Sequence, residues 1–312
     1  MAAQLPEMSA LDVTRPFTRA DAVAAGVDPK VLRTSRFRRI FRGVYVSAAT
    51  PDSPLLRTQA APAIHPSSAY ASHTSAARAY ELPVPAVADE HVSVTRAGER
   101  RPRAGIVVHV APTGARVRVC RGMRLSPPLQ MFVELASMLS LVDLVVVGDA
   151  MARVLDVPAE SLRSYCAEAQ APGARVARRA ASFVRDRVES PMESRLRMLV
   201  LAGLPEPDVQ HVVAGEDGRP RYRLDLAYPA ARVGVEYDGR QHAEDATQWH
   251  HDLRRREALD DAGWKLLVVT AQDLYRRPDE VLRRVCVALA ARGAAAASTR
   301  LDPSWRAHFP VV

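Results

Sequence analysis

The sequence predicts a multidomain α/β protein, on three observations. Its 312 residues exceed one ordinary domain. Short runs alternate β-branched or aromatic residues with polar ones, as half-buried strands do, in three separate stretches. Longer apolar runs bounded by capping residues read as helices between them. Hydrophobic content is 48%, ordinary for a globular chain, and no apolar run approaches the length of a membrane span.

Residues 1–50 form the first predicted unit. Met1–Met8 has no basic segment followed by an apolar core, so no secretory signal is expected. Thr18-Arg-Ala-Asp21 reads as a capping box with Asp in place of Glu, opening a short helix that Gly26 ends. Asp28 and Pro29 suit the cap and first position of a second helix. Phe37–Val46 then turns strand-like around Gly43. Helix, turn, helix and hairpin in that order describe a winged helix-turn-helix. Lys30, Arg33, Arg36, Arg38, Arg39 and Arg42 set six cations against the single acid Asp28. Arg33, Arg36, Arg38, Arg39 and Arg42 are the candidate contacts to DNA phosphates, which give salt-sensitive affinity without base readout.

Residues 51–185 are expected to be a middle α+β domain ending in a basic linker helix. A Pro- and Ala-rich linker opens it. Strands are expected at His91–Thr95 and Ile106–Val110, and helices over Ser126–Ser140 and Leu141–Leu155. Ser72 and His73 are adjacent, but adjacency does not supply nucleophile-and-base geometry and no Asp partner is identifiable. Both read as structural.

Residues 186–292 carry the chemistry. A helix holds Glu193, a first strand is expected at Gln210–Val213, and Glu216-Asp-Gly218 reads as a hairpin turn. Asp225 lies in Tyr222–Tyr228, and Glu236 follows eleven residues later in Val233–His242. Glu236 and Asp238 share a strand face, and pairing of the two strands brings Asp225 to Glu236. Carboxylates gathered this way call for a hard dication such as Mg²⁺. His250 and His251 beside His242 suggest zinc, but carboxylate-rich surroundings favour the harder ion. Residues 293–312 read as a flexible tail.

Glu193, Asp225, the run Glu236-Tyr-Asp-Gly-Arg-Gln-His242, Asp252-Leu-Arg-Arg-Arg256 and Gly263-Trp264 together resemble the PD-(D/E)xK nuclease superfamily. The likeness is to its very-short-patch-repair branch. It implies a restriction-endonuclease-like α/β core and a Mg²⁺-dependent endodeoxyribonuclease, with Mn²⁺ as substitute. Asp225 and Glu236 would hold the metal, and Glu193 would complete the shell directly or through water. Asp238 would orient the turn at Gly239 or support His242. Where many relatives carry Glu-x-Lys, this chain has Glu236-Tyr237-Asp238, so His242 takes over the handling of water.

Arg42-Gly-Val-Tyr45 and Ser72-His-Thr-Ser-Ala-Ala77 resemble the abortive-infection antitoxin AbiEi family. That family's Arg-Thr-x-x-Asp-Leu-Ala is replaced here by Leu129–Ala136. Two functions are thus in play. One is an endonuclease in DNA repair or phage defence. The other is a non-catalytic DNA-binding regulator of antitoxin type, with the nuclease core as scaffold.

Net charge +8 and a pI near 9.8 suit a polyanionic partner such as DNA. All but two of the 43 basic residues are arginine, a bias that GC-rich coding also produces. Cys120, Cys166 and Cys286 fit no metal spacing and read as reduced thiols, placing the protein in the cytoplasm near the nucleoid.

Overall fold

Capping chemistry builds the first elements and stops the next one short. The structure, a computed structural model, describes residues 11–215, 218–239, 246–294 and 303–309, with backbone alone at 246–252 and 303–304. β1 (Phe17–Thr18) leads into α1 (Arg19–Ala24), where the Thr18 hydroxyl accepts from the Asp21 N–H and the Asp21 carboxylate accepts from the Thr18 N–H. The expected second helix is only a 3-10 turn, Val31–Arg33. Asp28 Oδ1 accepts from the Lys30 N–H at 2.8 Å, two residues on, and Thr34 Oγ1 donates to the Val31 carbonyl at 2.7 Å. Both bonds satisfy backbone groups locally, in competition with helix propagation.

β2 (Phe37–Phe41) and β3 (Val44–Ser47) form the expected hairpin, with Gly43 at φ +90°, and β1 adds to β3. Phe17, Ala22 and Leu32 make a small core here, with Phe17 and Phe37 edge to face at 5.6 Å. Phe41 and Val44 instead pack with Ala60, Ala61, Ala69, Val92, Val94, Ile106 and Val108. The first fifty residues therefore share a core with the middle region, and the boundary expected at residue 50 does not separate two cores.

The described chain divides into two compact units. One runs to Met138 and takes in Ser164–Ala177; the other comprises Leu139–Arg163 and the chain from Arg178 onward. After the hairpin, the first unit contains α2 (Pro54–Ala60), β4 (Tyr70–Ala71), α3 (His73–Ala79), β5 (Glu90–Val94), β6 (Ile106–Val110), β7 (Arg118–Cys120), β8 (Met123–Leu125) and α4 (Pro128–Leu135). Its sheet has the order β6-β5-β4-β8-β7, with β5/β6 and β4/β8 parallel. Glu90 is buried and ties this unit together. Its Oε2 accepts from Thr58 at 2.9 Å, Ser75 at 2.6 Å and Arg78 at 2.7 Å.

The chain continues through α5 (Leu141–Leu155), α6 (Ala159–Glu168), α7 (Ala174–Phe183) and α8 (Pro191–Leu201). β9 (Asp208–Ala214), β10 (Pro220–Tyr228), β11 (Val233–Asp238), α9 (Ala246–Asp261), β12 (Lys265–Thr270), α10 (Ala271–Arg276) and α11 (Pro278–Ala291) complete the second unit's core. The strand order is β12-β11-β10-β9, antiparallel except for β11/β12, whose parallel pairing needs the α9 crossover. This matches the expected order of helix, three strands, helix and strand. Gly234 permits the close packing, since a Cβ there would stand 2.9 Å from Leu224 Cδ1.

A buried ion pair sets α8 against α5. Asp149 Oδ2 accepts from Arg197 Nη2 and from Ser194 Oγ, both at 2.8 Å, and both charged side chains are fully enclosed. Desolvation pushes the Asp149 carboxyl up from its ordinary range. A boundary at residue 185 would divide this pair, so α5 belongs with the C-terminal unit. The turn expected at Glu216-Asp217 lies outside the described residues. Within the tail expected to be flexible, Pro303–Ala307 forms a 3-10 turn, and Trp305 and Phe309 are buried. Among the described residues no helix is long and apolar enough to cross a membrane.

Candidate active site

Glu193 owes its place to the start of α8. Ser190 caps the helix by accepting from the Glu193 N–H at 3.1 Å, and Pro191 occupies the first helical position. The Glu193 carboxylate accepts from the Glu189 N–H at 3.1 Å and from Gln210 Nε2 at 2.8 Å. Gln210 reaches it from β9, from a backbone held at φ +51°. That conformation is uncommon for a residue with a side chain.

Asp225 and Glu236 come together through strand register. Leu224 and Leu226 are buried on one face of β10, which leaves Asp225 on the other. Leu226 pairs with Val235, so the next step of the antiparallel ladder sets Asp225 beside Glu236. The Tyr237 N–H donates to Asp225 Oδ2 at 2.9 Å. Burial, reinforced by the negative charges of Glu193 and Glu236, raises the Asp225 carboxyl to about 7. The Tyr237 bond and Arg255 pull it the other way. Glu193, Asp225 and Glu236 therefore form one electrostatic cluster.

Arg255, on α9, supplies the counter-charge. Its Nη1 donates to Glu236 Oε2 at 2.9 Å, its Nη2 donates to Glu236 Oε1, and Nη2 also donates to the Arg223 carbonyl at 3.0 Å. A guanidinium fork matches a carboxylate in this two-pronged way. Beside the pair lies a cavity of about 220 Å³ lined by Glu236, Asp238, Gly239, Arg255 and Arg256, among others. Asp238 follows Glu236 by two on β11 and shares its face.

Asp225 and Glu236, on neighbouring strands, offer the hard oxygen donors that Mg²⁺ or Mn²⁺ takes, although with Glu193 they are not gathered within reach of a single ion among the described residues. Both Glu236 oxygens are engaged by Arg255, so a dication there must share or displace the guanidinium. His242 lies outside the described residues.

The sequence reading did not single out Gln210 or Arg255. Arg255 is one of three consecutive arginines, and only the placement of α9 selects which one meets Glu236. Gln210 carried a weak signal as a polar residue at the start of Gln210–Val213.

The N-terminal arginines are not equivalent. Arg33, Arg36, Arg39 and Arg42 are exposed. Arg38 is half-buried, paired with Asp52 at 3.2 Å and donating to the Thr50 carbonyl at 3.0 Å. Strand alternation sends Arg38 and Arg39 to opposite faces of β2.

Residues 208–289 match the family model REase_MTES_1575, of a restriction-endonuclease-like family. The match takes in Asp225, Glu236, Asp238 and His242 but not Glu193. The chain is also similar to Uncharacterized protein MT2308 of Mycobacterium tuberculosis strain CDC 1551 / Oshkosh and to Uncharacterized protein Rv2248 of strain ATCC 25618 / H37Rv. Each is 28% identical over 187 residues, covering 59% of this chain and 68% of the relative. The C-terminal domain is thus similar to restriction-endonuclease-like nucleases.

Proposed function

We propose that the chain is a metal-dependent DNA endonuclease that its basic N-terminal segment brings to DNA. The adjacency of Asp225 and Glu236 across the β10/β11 ladder, with the charge of Glu193 also acting on Asp225, carries this reading. Asp225 and Glu236 would hold Mg²⁺, and Glu193 would complete the shell directly or through water. Bound Mg²⁺ would polarise a phosphoryl oxygen and acidify a water. Gln210 and the Glu189 amide fix the Glu193 carboxylate, while the Tyr237 amide fixes Asp225. Arg255 offsets charge beside Glu236, His242 moves the proton of the attacking water, and Asp238 supports the turn that leads to it.

Arg33, Arg36, Arg39 and Arg42 meet phosphates, in a segment read as winged helix-turn-helix with a shortened second helix. The cytoplasm, beside the nucleoid, is the matching place. DNA repair and phage defence are both compatible processes.

One observation favours the other reading, a DNA-binding regulator with a degenerate core. The Arg255–Glu236 pair neutralises the central carboxylate without any metal. A nicking assay on mismatched, branched, damaged and single-stranded DNA, with Mg²⁺ or Mn²⁺ and a chelator control, separates the two. The endonuclease reading expects chelator-sensitive nicking that Glu236→Gln removes. DNA binding with no cleavage of any substrate establishes the regulator.

A further inference from the structure

His73, His91 and His109 stand eighteen residues apart in sequence and meet in the first unit. β5 and β6 are parallel, with His91 opposite Val107 and Ser93 opposite His109, so the two histidines share one face two rungs apart. His91 Nδ1 and His109 Nε2 are 2.8 Å apart. His73 opens α3 and stacks on His109 with ring centroids 3.7 Å apart. One ring nitrogen from each of the three lies within 4.8 Å of the others. His73 and His91 are buried and His109 is half-buried.

The surroundings hold this arrangement in place. The Ser72 N–H donates to the His91 carbonyl at 2.9 Å, and the His91 N–H donates to Ser75 Oγ at 2.8 Å, fastening the start of α3 to β5. His73 sits at φ +50°, a left-handed backbone that residues with a Cβ seldom adopt. Such conformations persist where the surrounding structure over-determines them and concentrate at binding sites. His73 Nδ1 is 2.9 Å from Ser72 Oγ and 3.9 Å from Glu134 Oε2. Metal-bound histidines commonly have a partner of this kind on the nitrogen that faces away from the ion.

We infer that His73, His91 and His109 form a binding site for one borderline transition-metal dication, with Zn²⁺ the best match. Imidazole nitrogen suits Zn²⁺, Co²⁺, Ni²⁺ and Cu²⁺ and is a poor donor set for Mg²⁺. Tetrahedral Zn–N bonds of about 2.0–2.1 Å put donor nitrogens roughly 3.4 Å apart, within reach by small ring rotations from the present spread. Burial favours the neutral imidazole at all three positions, the form that binds metal. Three imidazoles leave a fourth position for water or an anion beside half-buried His109, as in catalytic rather than closed structural zinc sites. The alternative, a purely structural histidine cluster, accounts for the His91–His109 contact. The His73 N–H donates to Glu134 Oε2 at 3.1 Å, which helps fix its left-handed backbone, but a structural cluster does not require the His73 ring to stack on His109.

Cobalt provides the test. The full-length chain is stripped with chelator and titrated with Co²⁺ alone, followed by visible absorption. Four-coordinate nitrogen-rich Co²⁺ absorbs far more strongly than six-coordinate Co²⁺ on carboxylates, so the bands report the histidines. The expected result is strong bands saturating at one equivalent and removed by Zn²⁺. His109→Gln, at the most exposed of the three, should weaken Co²⁺ and Zn²⁺ binding by about a hundredfold and abolish the bands, while Glu236→Gln leaves them unchanged. X-ray absorption at the zinc edge of the unmutated chain should show the outer-shell scattering of imidazole rings, a readout independent of whether the variant folds. Absence of the bands, bands unchanged in a folded His109→Gln variant, or a zinc spectrum without imidazole scattering would overturn the site.

Discussion

The two units gather titratable groups in opposite ways. In the C-terminal unit the charges of Glu193 and Glu236 add to the desolvation that raises the carboxyl of half-buried Asp225. The N-terminal unit brings together three imidazoles, which burial holds neutral: His73 is depressed to about 2 and His109 to about 4. The acids want a hard cation and the imidazoles a softer one. On the two proposed readings, one chain would offer two dications two separate addresses, sorted by donor chemistry.

The sharpest way to break this comparison is to remove an acid. Asp225→Ala and Glu236→Ala are each expected to lower cleavage by about a thousandfold, several kcal/mol of transition-state stabilisation, with DNA binding largely kept. Single-turnover nicking beside a binding titration checks it, and near-normal cutting by Asp225→Ala would remove the site assignment. His242→Ala should cost about a hundredfold or more in rate with little change in the Mg²⁺ titration. If metal affinity collapses while the rate at saturating metal survives, His242 is a ligand.

The acids were legible because they punctuate one continuous pattern. Asp225 and Glu236 lie on consecutive strands whose alternation fixes their face, so register follows from sequence. The histidines were not, because His73, His91 and His109 come from a helix and two strands whose parallel pairing and packing no local pattern reveals. His73 read as structural beside Ser72. Arg255 and the Asp149–Arg197 pair failed for the same reason, since charges that meet across elements need the packing first. The second N-terminal helix failed differently. Asp28-Pro29 is a sound helix start, but Asp28 and Thr34 close local turns instead.

Acidity tests the contrast without catalysis. Asp225 has a folded pKa of about 7 against an ordinary 3.8, so between those values the folded chain holds a proton the unfolded chain has released. Stability from this group is greatest below pH 4 and falls as pH rises toward 7. In chelator at pH 8, Asp225→Asn is therefore expected to stabilise the chain, by on the order of 2 kcal/mol after allowance for solvent screening. The gain should vanish near pH 4. The depressed imidazoles act in the other direction, costing stability as pH falls below 6.5, where the unfolded histidines take up protons. Urea denaturation across pH decides it, and a destabilising Asp225→Asn at pH 8 would show that the fold favours the Asp225 carboxylate rather than raising its pKa.

The smallest expected effect concerns which unit holds the DNA. Arg36, Arg39 and Arg42 are exposed on the basic segment, whereas Arg38 is engaged with Asp52 and the Thr50 carbonyl. Each phosphate contact releases condensed counterions and contributes about −0.9 to the slope of log affinity against log salt on duplex DNA. Replacing Arg36, Arg39 and Arg42 together with Ala should flatten the slope by roughly two to three units if all three reach phosphates. Arg38→Ala should change it by less than one contact's worth, because that guanidinium is already paired. Glu236→Gln should leave the slope nearly as it is if, as proposed, the acids serve cleavage rather than anchoring. Fluorescence anisotropy across a salt series with chelator present reads all three. An unchanged slope in the triple variant would move the DNA anchor off this segment and leave a protein partner as the better occupant of its basic face.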